Sequence, residues 1–391
     1  MDTGTHIVMG AAICGLTLAD PVVASDSVTM TAVFIGVVSG SLIPDVDTVL
    51  KLRNNAVYIR NHRGITHSIP AVLLWPLVIS IILSFLIPGT EFYHLWAWTF
   101  LAVFVHVFVD IFNAYGTQAL RPFSDQWVAI GVINTFDPII FALHIAALAA
   151  WMFGAEPVLT FVILYVVIFF YYLLRFALKS AVKRAVQVTI PDADDIFIAP
   201  TMHFFQWRVA ASNKECHFVG RAYGRSVNIY DRFEREAMPK SPYIDAAMED
   251  RNIQAFVSFS PIYRWSVSHV GDLCEVRLID LRYRSKGYYP FVAVAHINNE
   301  MEVINSYTGW IFQKTSFLRN LTSSPILNKS EGRSPSLLLI IPFSLIAASQ
   351  SAMLLLHVLH LIGIPMQNGP LNNQHGKRPL HRLQFDIFPL W

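Results

Sequence analysis

The residues best suited to chemistry are histidines and aspartates set in or beside apolar segments: His6, Asp45, Asp47, His62, His67, His106, Asp110 and Asp137. An ionisable group inside or against a bilayer is costly, so each of these calls for a partner or a function. His106 and Asp110 stand four residues apart, which places them on one face of a helix where both can address one ion. In Pro44–Asp45–Val46–Asp47 the proline ends an apolar run and two carboxylates follow with one residue between them. In an extended turn they diverge, so one can ligate while the other orients a histidine. The segment His62–Arg63–Gly64–Ile65–Thr66–His67–Ser68 sets two imidazoles around a glycine that permits a tight backbone path. Arg63 adds a fixed cation suited to a phosphate or carboxylate oxygen, or equally to lipid headgroups, and Thr66 or Ser68 can cap the next helix. Nitrogen and oxygen donors without thiolates suit Zn²⁺, Mn²⁺ or Fe²⁺ better than a structural cysteine–zinc site. With this many candidate ligands, one or two divalent ions can be held. A pair about 3.5–4 Å apart suits phosphoester hydrolysis, with the second ion or Arg63 stabilising the oxyanion. Asp137, followed by Pro138, has a competing role as an acceptor for backbone groups freed at a kink.

These residues must be positioned by membrane helices. Of the 391 residues, 54% are hydrophobic and 14% charged, with mean hydropathy +0.45, too few charges for an ordinary soluble surface. A net charge of +2 gives no warrant for nucleic-acid binding. Cys14, Cys216 and Cys274 are scattered and make neither a zinc knuckle nor a disulfide framework. Asp2 stands where a signal peptide carries basic residues, so the N-terminus is not expected to be one. A bilayer core needs about 20 mostly apolar residues per helix, and the candidate spans are 5–19, 28–43, 68–87, 93–113, 127–153 and 157–178. Lys51, Arg53, Arg60, Arg63, Arg121, Lys179, Lys183 and Arg184 follow even-numbered crossings, whereas loops 20–27, 88–92 and 154–156 hold Asp20, Asp26, Glu91 and Glu156 without Lys or Arg. That bias puts both ends of a six-span bundle in the cytoplasm. His6, both aspartates of the Pro44 turn, His62, His67, His106, Asp110 and Asp137 then all lie towards the same, cytoplasmic, face.

The expected architecture is an α-helical polytopic membrane domain of about six spans over 1–178, followed by a smaller α+β, β-rich cytoplasmic domain over 179–320. Strand-like runs there are Phe204 to Val209, Tyr223 to Tyr230, Phe256 to Phe259, Cys274 to Leu281 and Phe291 to Ile297. Residues 321–391 form a tail with an apolar run at 337–364, read either as a seventh span or as a non-native extension. Lone histidines elsewhere have structural readings: His94 and His144 as hydrogen-bonders between helices, and His203, His217, His269 and His296 as ordinary residues.

Thr5–His6 with Gly10, Pro44–Asp45–Val46–Asp47, the His62–Ser68 segment and His106-x-x-x-Asp110 together resemble the YdjM-type family of bacterial inner-membrane proteins, described as membrane-bound metal-dependent hydrolases. The resemblance covers roughly residues 1–170 and is most specific at His62–Arg63–Gly64. That family is similar in motif order to zinc-dependent phospholipase C and P1-type nucleases, which are helical and trinuclear. The resemblance implies His6, Asp45, His67, His106 and Asp110 as metal ligands, with His62 and Asp47 as additions. It departs from the soluble enzymes in lacking a second His-x-x-x-Glu pair after His106, and the N-terminal amine is not expected to ligate.

The function expected is therefore a metal-dependent hydrolase of the bacterial inner membrane, with zinc as its cofactor and Mn or Fe as alternatives. It would act at the cytoplasmic leaflet on a phosphorylated, lipid-like or other ester, with Asp45, Asp47 and Arg63 in catalytic roles. Two other readings stay open: a cation- or proton-handling transporter, and a membrane-tethered regulator whose metal is structural.

Overall fold

A computed structural model describes residues 1–52, 58–59 and 61–311. Arg53, Arg60 and the tail 321–391 with its apolar run lie outside the described residues. Among the described residues seven helices come first: α1 (Thr3–Thr17), α2 (Pro21–Ser25), α3 (Ser27–Gly40), α4 (Ile69–Leu86), α5 (Phe92–Asp110), α6 (Pro138–Met152) and α7 (Pro157–Thr189). Two 3-10 segments, Ile43–Leu52 and Ile65–His67, lie between α3 and α4.

Carboxylates start most of these helices. Asp2, Asp20, Asp26, Asp137 and Glu156 each accept backbone N–H groups at the N-termini of α1, α2, α3, α6 and α7. A negative charge there satisfies orphan donors and meets the positive end of the helix dipole. Pro138 and Pro157 then occupy a first-turn position that needs no donor. Close packing comes from small residues. A Cβ on Gly36 would fall 2.5 Å from Thr99 Oγ1, and one on Gly40 would fall 3.0 Å from the Thr99 carbonyl oxygen. Two glycines four apart on α3 thus let it lie directly on α5.

Helices α4, α5 and α7 are long and apolar enough to cross a membrane, and α3 with the 3-10 segment after it, bent by 43°, is a fourth candidate if the pair forms one span. Apolar helices α1 and α6 have 15 residues each, about 22 Å at 1.5 Å per residue against a core of about 30 Å. The described residues therefore give three or four candidate spans, and the expected count of six is not confirmed. The segment expected at 127–153 becomes helical only at Pro138, where Asp137 supplies the cap; before it the chain is pinned by isolated bridges Thr117↔Val128 and Asn113↔Ile133. Helix α7 continues past 178 to Thr189, and Val182, Val186 and Ile190 at its end pack on Ile198, Trp207 and Val209.

Two antiparallel four-stranded sheets follow, in the orders β1-β2-β3-β4 and β5-β6-β7-β8. The first comprises Asp195–Pro200, Gln206–Ser212, Cys216–Tyr223 and Ser226–Glu234. The second comprises Tyr263–Val270, Leu273–Asp280, Phe291–Ile297 and Val303–Trp310. Between them stand α8 (Pro242–Glu249) and α9 (Arg251–Phe259). The run Phe256 to Phe259, expected as a strand, is the end of α9. Ile253 and Phe256 are buried one turn apart, and Asp250 accepts from Asn252 and Ile253 to start the helix. Its apolar face joins Val276, Leu278, Phe291 and Ala293 of the second sheet in one core.

Candidate metal centre

Four elements bring the candidate residues together. His6 lies in the first turns of α1, Asp45 and Asp47 follow Pro44 in the 3-10 segment, His67 ends the short turn before α4, and His106 and Asp110 end α5. His67 Nε2 lies 3.7 Å from Asp45 Oδ1 and 3.5 Å from Asp110 Oδ2; His106 Nε2 lies 3.8 and 3.7 Å from the same two oxygens. His6 Nε2 is 3.5 Å from Asp110 Oδ1, and its ring stacks on His106 at 3.7 Å. His6, His67, His106 and Asp110 are wholly buried.

Their inward atoms lack hydrogen bonds, and Asp110 Oδ2 is also ion-paired with Arg63 Nη2 at 3.2 Å. His6 Nε2, His67 Nε2, His106 Nε2, Asp45 Oδ1 and Asp110 Oδ2 are all buried without a hydrogen bond. A buried polar atom left unpaired costs about 1–3 kcal/mol, and the ligand atoms of Asp45, His67, His106 and Asp110 lie within 4.8 Å of one another, close enough to share one cation, with His6 Nε2 beside Asp110 Oδ1. Four donors about 2.1 Å from a zinc ion stand about 3.4 Å from one another, close to the separations observed. The residues present therefore fit a divalent cation.

The outward atoms set the orientation. His106 Nδ1 donates to the Ser41 carbonyl at 2.6 Å, and His67 Nδ1 meets Thr66 Oγ1 at 3.1 Å. Each bond fixes a ring so that Nε2 carries the lone pair inward. Burial, then the neighbouring His106, push the His67 imidazole well below its ordinary pKa, which keeps it neutral and able to ligate. Gly10 allows this packing, since a Cβ there would fall 2.3 Å from Ser41 Oγ.

Asp47 faces the other way. Its Oδ1 is 2.8 Å from His62 Nδ1, and its Oδ2 accepts from the Arg63 backbone at 2.7 Å and from Thr66 Oγ1 at 2.9 Å. Asp45, Asp47 and His62 still offer ligand atoms within 4.8 Å of one another, and Asp45 is shared with the His67–His106–Asp110 set. The geometry thus allows two adjacent positions joined by Asp45.

Arg63 is held away from headgroups. Nη1 donates to Asn113 Oδ1 at 3.1 Å, Nη2 donates to the Met1 carbonyl at 2.9 Å, and Nη2 pairs with Asp110 Oδ2 at 3.2 Å. Its φ of +57° is left-handed, an uncommon state that the surrounding bonds must hold. Burial lowers its pKa against the opposing charge of Asp45. The Met1 backbone nitrogen, not expected to ligate, lies against Asp110 Oδ1 at the cluster's edge.

Asn113 is the residue that the sequence reading missed. It is fully buried, its carboxamide oxygen accepts from Arg63, Tyr115 and Gly116, and its Nδ2 donates to Asp110 Oδ1 at 3.2 Å. Its position three residues beyond Asp110, at the same helix end, was the available signal. Asp137 stands apart as the α6 cap and accepts from Tyr171 at 2.9 Å. His94 bonds Asp20 at 2.6 Å, from α5 to the start of α2, while His144 bonds the Ile140 carbonyl of its own helix. His217 and His296 pair with Ser212 and Glu275.

Beside His62 a cavity of about 390 Å³ is lined by His62, Arg63, Tyr58 and Tyr115 on one side and by Phe259 of α9 with Phe291 and Trp310 of the second sheet on the other.

Comparison with known proteins finds three family matches along the chain. Residues 1–182 match the family described as YdjM inner membrane protein, residues 191–233 the YfhP middle domain, and residues 242–321 the YfhP C-terminal alpha/beta plait domain. The chain is similar to the uncharacterized protein YfhP of Bacillus subtilis (strain 168), at 54% identity over 322 residues, which are 82% of this chain and 98% of the relative. No solved structure matches.

Proposed function

The chain belongs to the YdjM family of inner membrane proteins, and from that premise we propose that it is a membrane-bound metal-dependent hydrolase acting on a phosphoester or other ester at the cytoplasmic leaflet. The observation that supports this reading is the set of five buried nitrogen and oxygen atoms without a hydrogen bond on His6, Asp45, His67, His106 and Asp110. These residues would hold one or two divalent ions, with zinc preferred by the nitrogen–oxygen donor set and Mn or Fe as alternatives. When bound, such an ion supplies Lewis acidity and makes water a usable nucleophile near neutral pH.

The protein's own groups supply the rest. Asp47 orients His62 through Nδ1 and leaves Nε2 to take or give a proton at the cavity wall. Arg63 and Asn113 hold Asp110 in place from opposite oxygens. Arg63 Nε remains buried and unpartnered, and it is the one guanidinium nitrogen left to meet an ester oxygen. Asp45, less buried than its partners, closes the cluster on the side of Asp47 and His62.

Metal analysis of the detergent-purified full chain tests the proposal. Wild type should carry stoichiometric metal, and His67→Ala and His106→Ala should each lose it. Asp47→Asn should keep the first ion yet lose hydrolysis of a chromogenic phosphodiester. A wild type that takes up no stoichiometric zinc, manganese or iron would end the reading.

A further inference from the structure

A second cavity of about 440 Å³ adjoins the one beside His62 and shares Tyr115 and Trp310 with it as walls. Its other lining includes Arg208 of β2, Tyr283, Arg284 and Ser285, with no carboxylate among the lining residues. The two arginines differ. Arg284 is engaged by Asp231, which Tyr289 also bonds. Arg208 makes no ion pair among the described residues, and its Nε is buried without a hydrogen-bond partner. A guanidinium edge of this kind is suited to a carboxylate or phosphate.

The wall common to the two cavities is aromatic. Tyr115 lies parallel to Phe259 (6.1 Å, 15°) and to Tyr283 (5.6 Å, 11°). Trp127 meets Phe259 edge-on, and Trp310 packs against both Tyr283 and Phe291. Asn113 ties this wall to the metal cluster, since the oxygen that receives Arg63 also receives the Tyr115 backbone N–H. Flat π-faces between two cationic ends match a flat guest with a charge at each end. A cavity of this volume is small for a long-chain lipid body, so the guest must be compact.

We propose that the C-terminal sheets complete the substrate site: the ester to be cleaved sits by His62 and Arg63, a planar ring lies along Tyr115 and Trp310, and a second anionic group binds Arg208. The substrate class is then a compact, ring-bearing phosphoester with a further negative charge, rather than a membrane phospholipid. This rests on the reading of the His/Asp cluster as a phosphoester site and specifies its substrate.

Calorimetric titration of the metal-loaded full chain in detergent, with three phosphonates that cannot be hydrolysed, tests it. The probes are 4-phosphonobenzoate (ring and second charge), phenylphosphonate (ring only) and 5-phosphonopentanoate (charge only). The first should bind about tenfold more tightly than either of the others, the worth of one stacked ring or one charge-assisted contact. Arg208→Gln should erase its advantage over phenylphosphonate, and Arg208→Lys should restore part of it. Trp310→Leu should erase its advantage over 5-phosphonopentanoate, with metal content unchanged in all three variants. Equal binding of the three probes by fully metal-loaded wild type overturns the proposal and leaves the metal reading standing. So does an advantage that survives Arg208→Gln, or tighter binding of phosphatidate in mixed micelles. The expected preferences in a protein that never binds metal would overturn the metal reading alone.

Discussion

At the level of single residues, the His/Asp cluster is a set of inward-facing nitrogen and oxygen atoms whose aim is fixed from behind. Thr66 shows this most economically, since its hydroxyl touches His67 Nδ1 and donates to Asp47 Oδ2. Thr66→Val keeps the shape and removes both bonds. It should weaken metal affinity by about 10–100-fold, read by competition with a chelator, with little change in thermal midpoint. An unchanged affinity would mean that the threonine does not orient the imidazole. The charged members of the cluster were conspicuous in the sequence, because His, Asp and Arg beside apolar runs demand an explanation. The groups that hold them were not. Ser41 acts through its carbonyl, which any residue possesses, and Asn113 carries no charge, so neither stands out by type.

At the level of elements, two glycines decide whether the cluster can assemble. Gly64 stands at the turn that reverses from Arg63 towards His67, and a Cβ there would fall 2.9 Å from the Asn61 carbonyl oxygen and 3.1 Å from Gln118 Oε1. Gly64→Ala should therefore cost about 1–3 kcal/mol and cut metal stoichiometry, because the backbone on one side cannot yield. Gly10 is a gentler case, since the nearest obstacle is the Ser41 hydroxyl. Gly10→Ala alone should loosen metal binding, and Gly10→Ala with Ser41→Gly should recover it; failure to recover would place the fault elsewhere in α1. The second sheet offers a pH test away from the centre. His296 donates to Glu275 at 2.9 Å from the neighbouring strand, and this bond, with Arg277, holds the Glu275 carboxyl below its ordinary pKa despite burial. A depressed folded-state pKa gives stability that is present above about pH 4.3 and lost as pH falls through the folded value. Glu275→Gln should flatten that acid limb of the thermal midpoint and leave the limb above pH 6 parallel to wild type. Element types were legible where the pattern was unambiguous, as in Phe291 to Ile297, which is a strand throughout. They failed at Phe256 to Phe259, where four residues of apolar run cannot distinguish a period of 2 from one of 3.6, and the Asp250 cap decides for helix.

For the whole molecule, what joins centre and sheets is the long helix α7 with the arginine at its middle. Arg175 is 1% exposed, donates to the carbonyls of Val132 and Phe204, and stacks on Trp207 at 4.3 Å, so the helical region and the first sheet share a buried cation. The helix has 33 residues, about 50 Å at 1.5 Å per residue, and a bilayer core takes up about 30 Å of that. Its remaining turns, carrying Lys183 and Arg184, must emerge on the side where the sheets and the His/Asp cluster lie. The opposite loops carry Asp20, Asp26, Glu91 and Glu156, of which Asp20, Asp26 and Glu156 are occupied as helix caps. That arrangement sharpens the charge asymmetry by giving the acidic residues a structural reason to be there, so the direction rests on the basic residues, as the positive-inside bias requires. Arg63 no longer counts towards it, being spent on Asp110 and Asn113; Arg121, Lys183 and Arg184 still do. The native thiols Cys14, Cys216 and Cys274 are all buried and give little background to a labelling test. Glu91→Cys and Lys240→Cys, both at exposed positions, should then report opposite sides in the full chain. A membrane-impermeant maleimide added to intact cells should modify position 91 and spare position 240, and permeabilisation should expose the latter. Labelling of position 240 in sealed cells would put the His/Asp cluster and the aromatic cavity outside the cytoplasm, and with them the ester on which the proposed reaction depends.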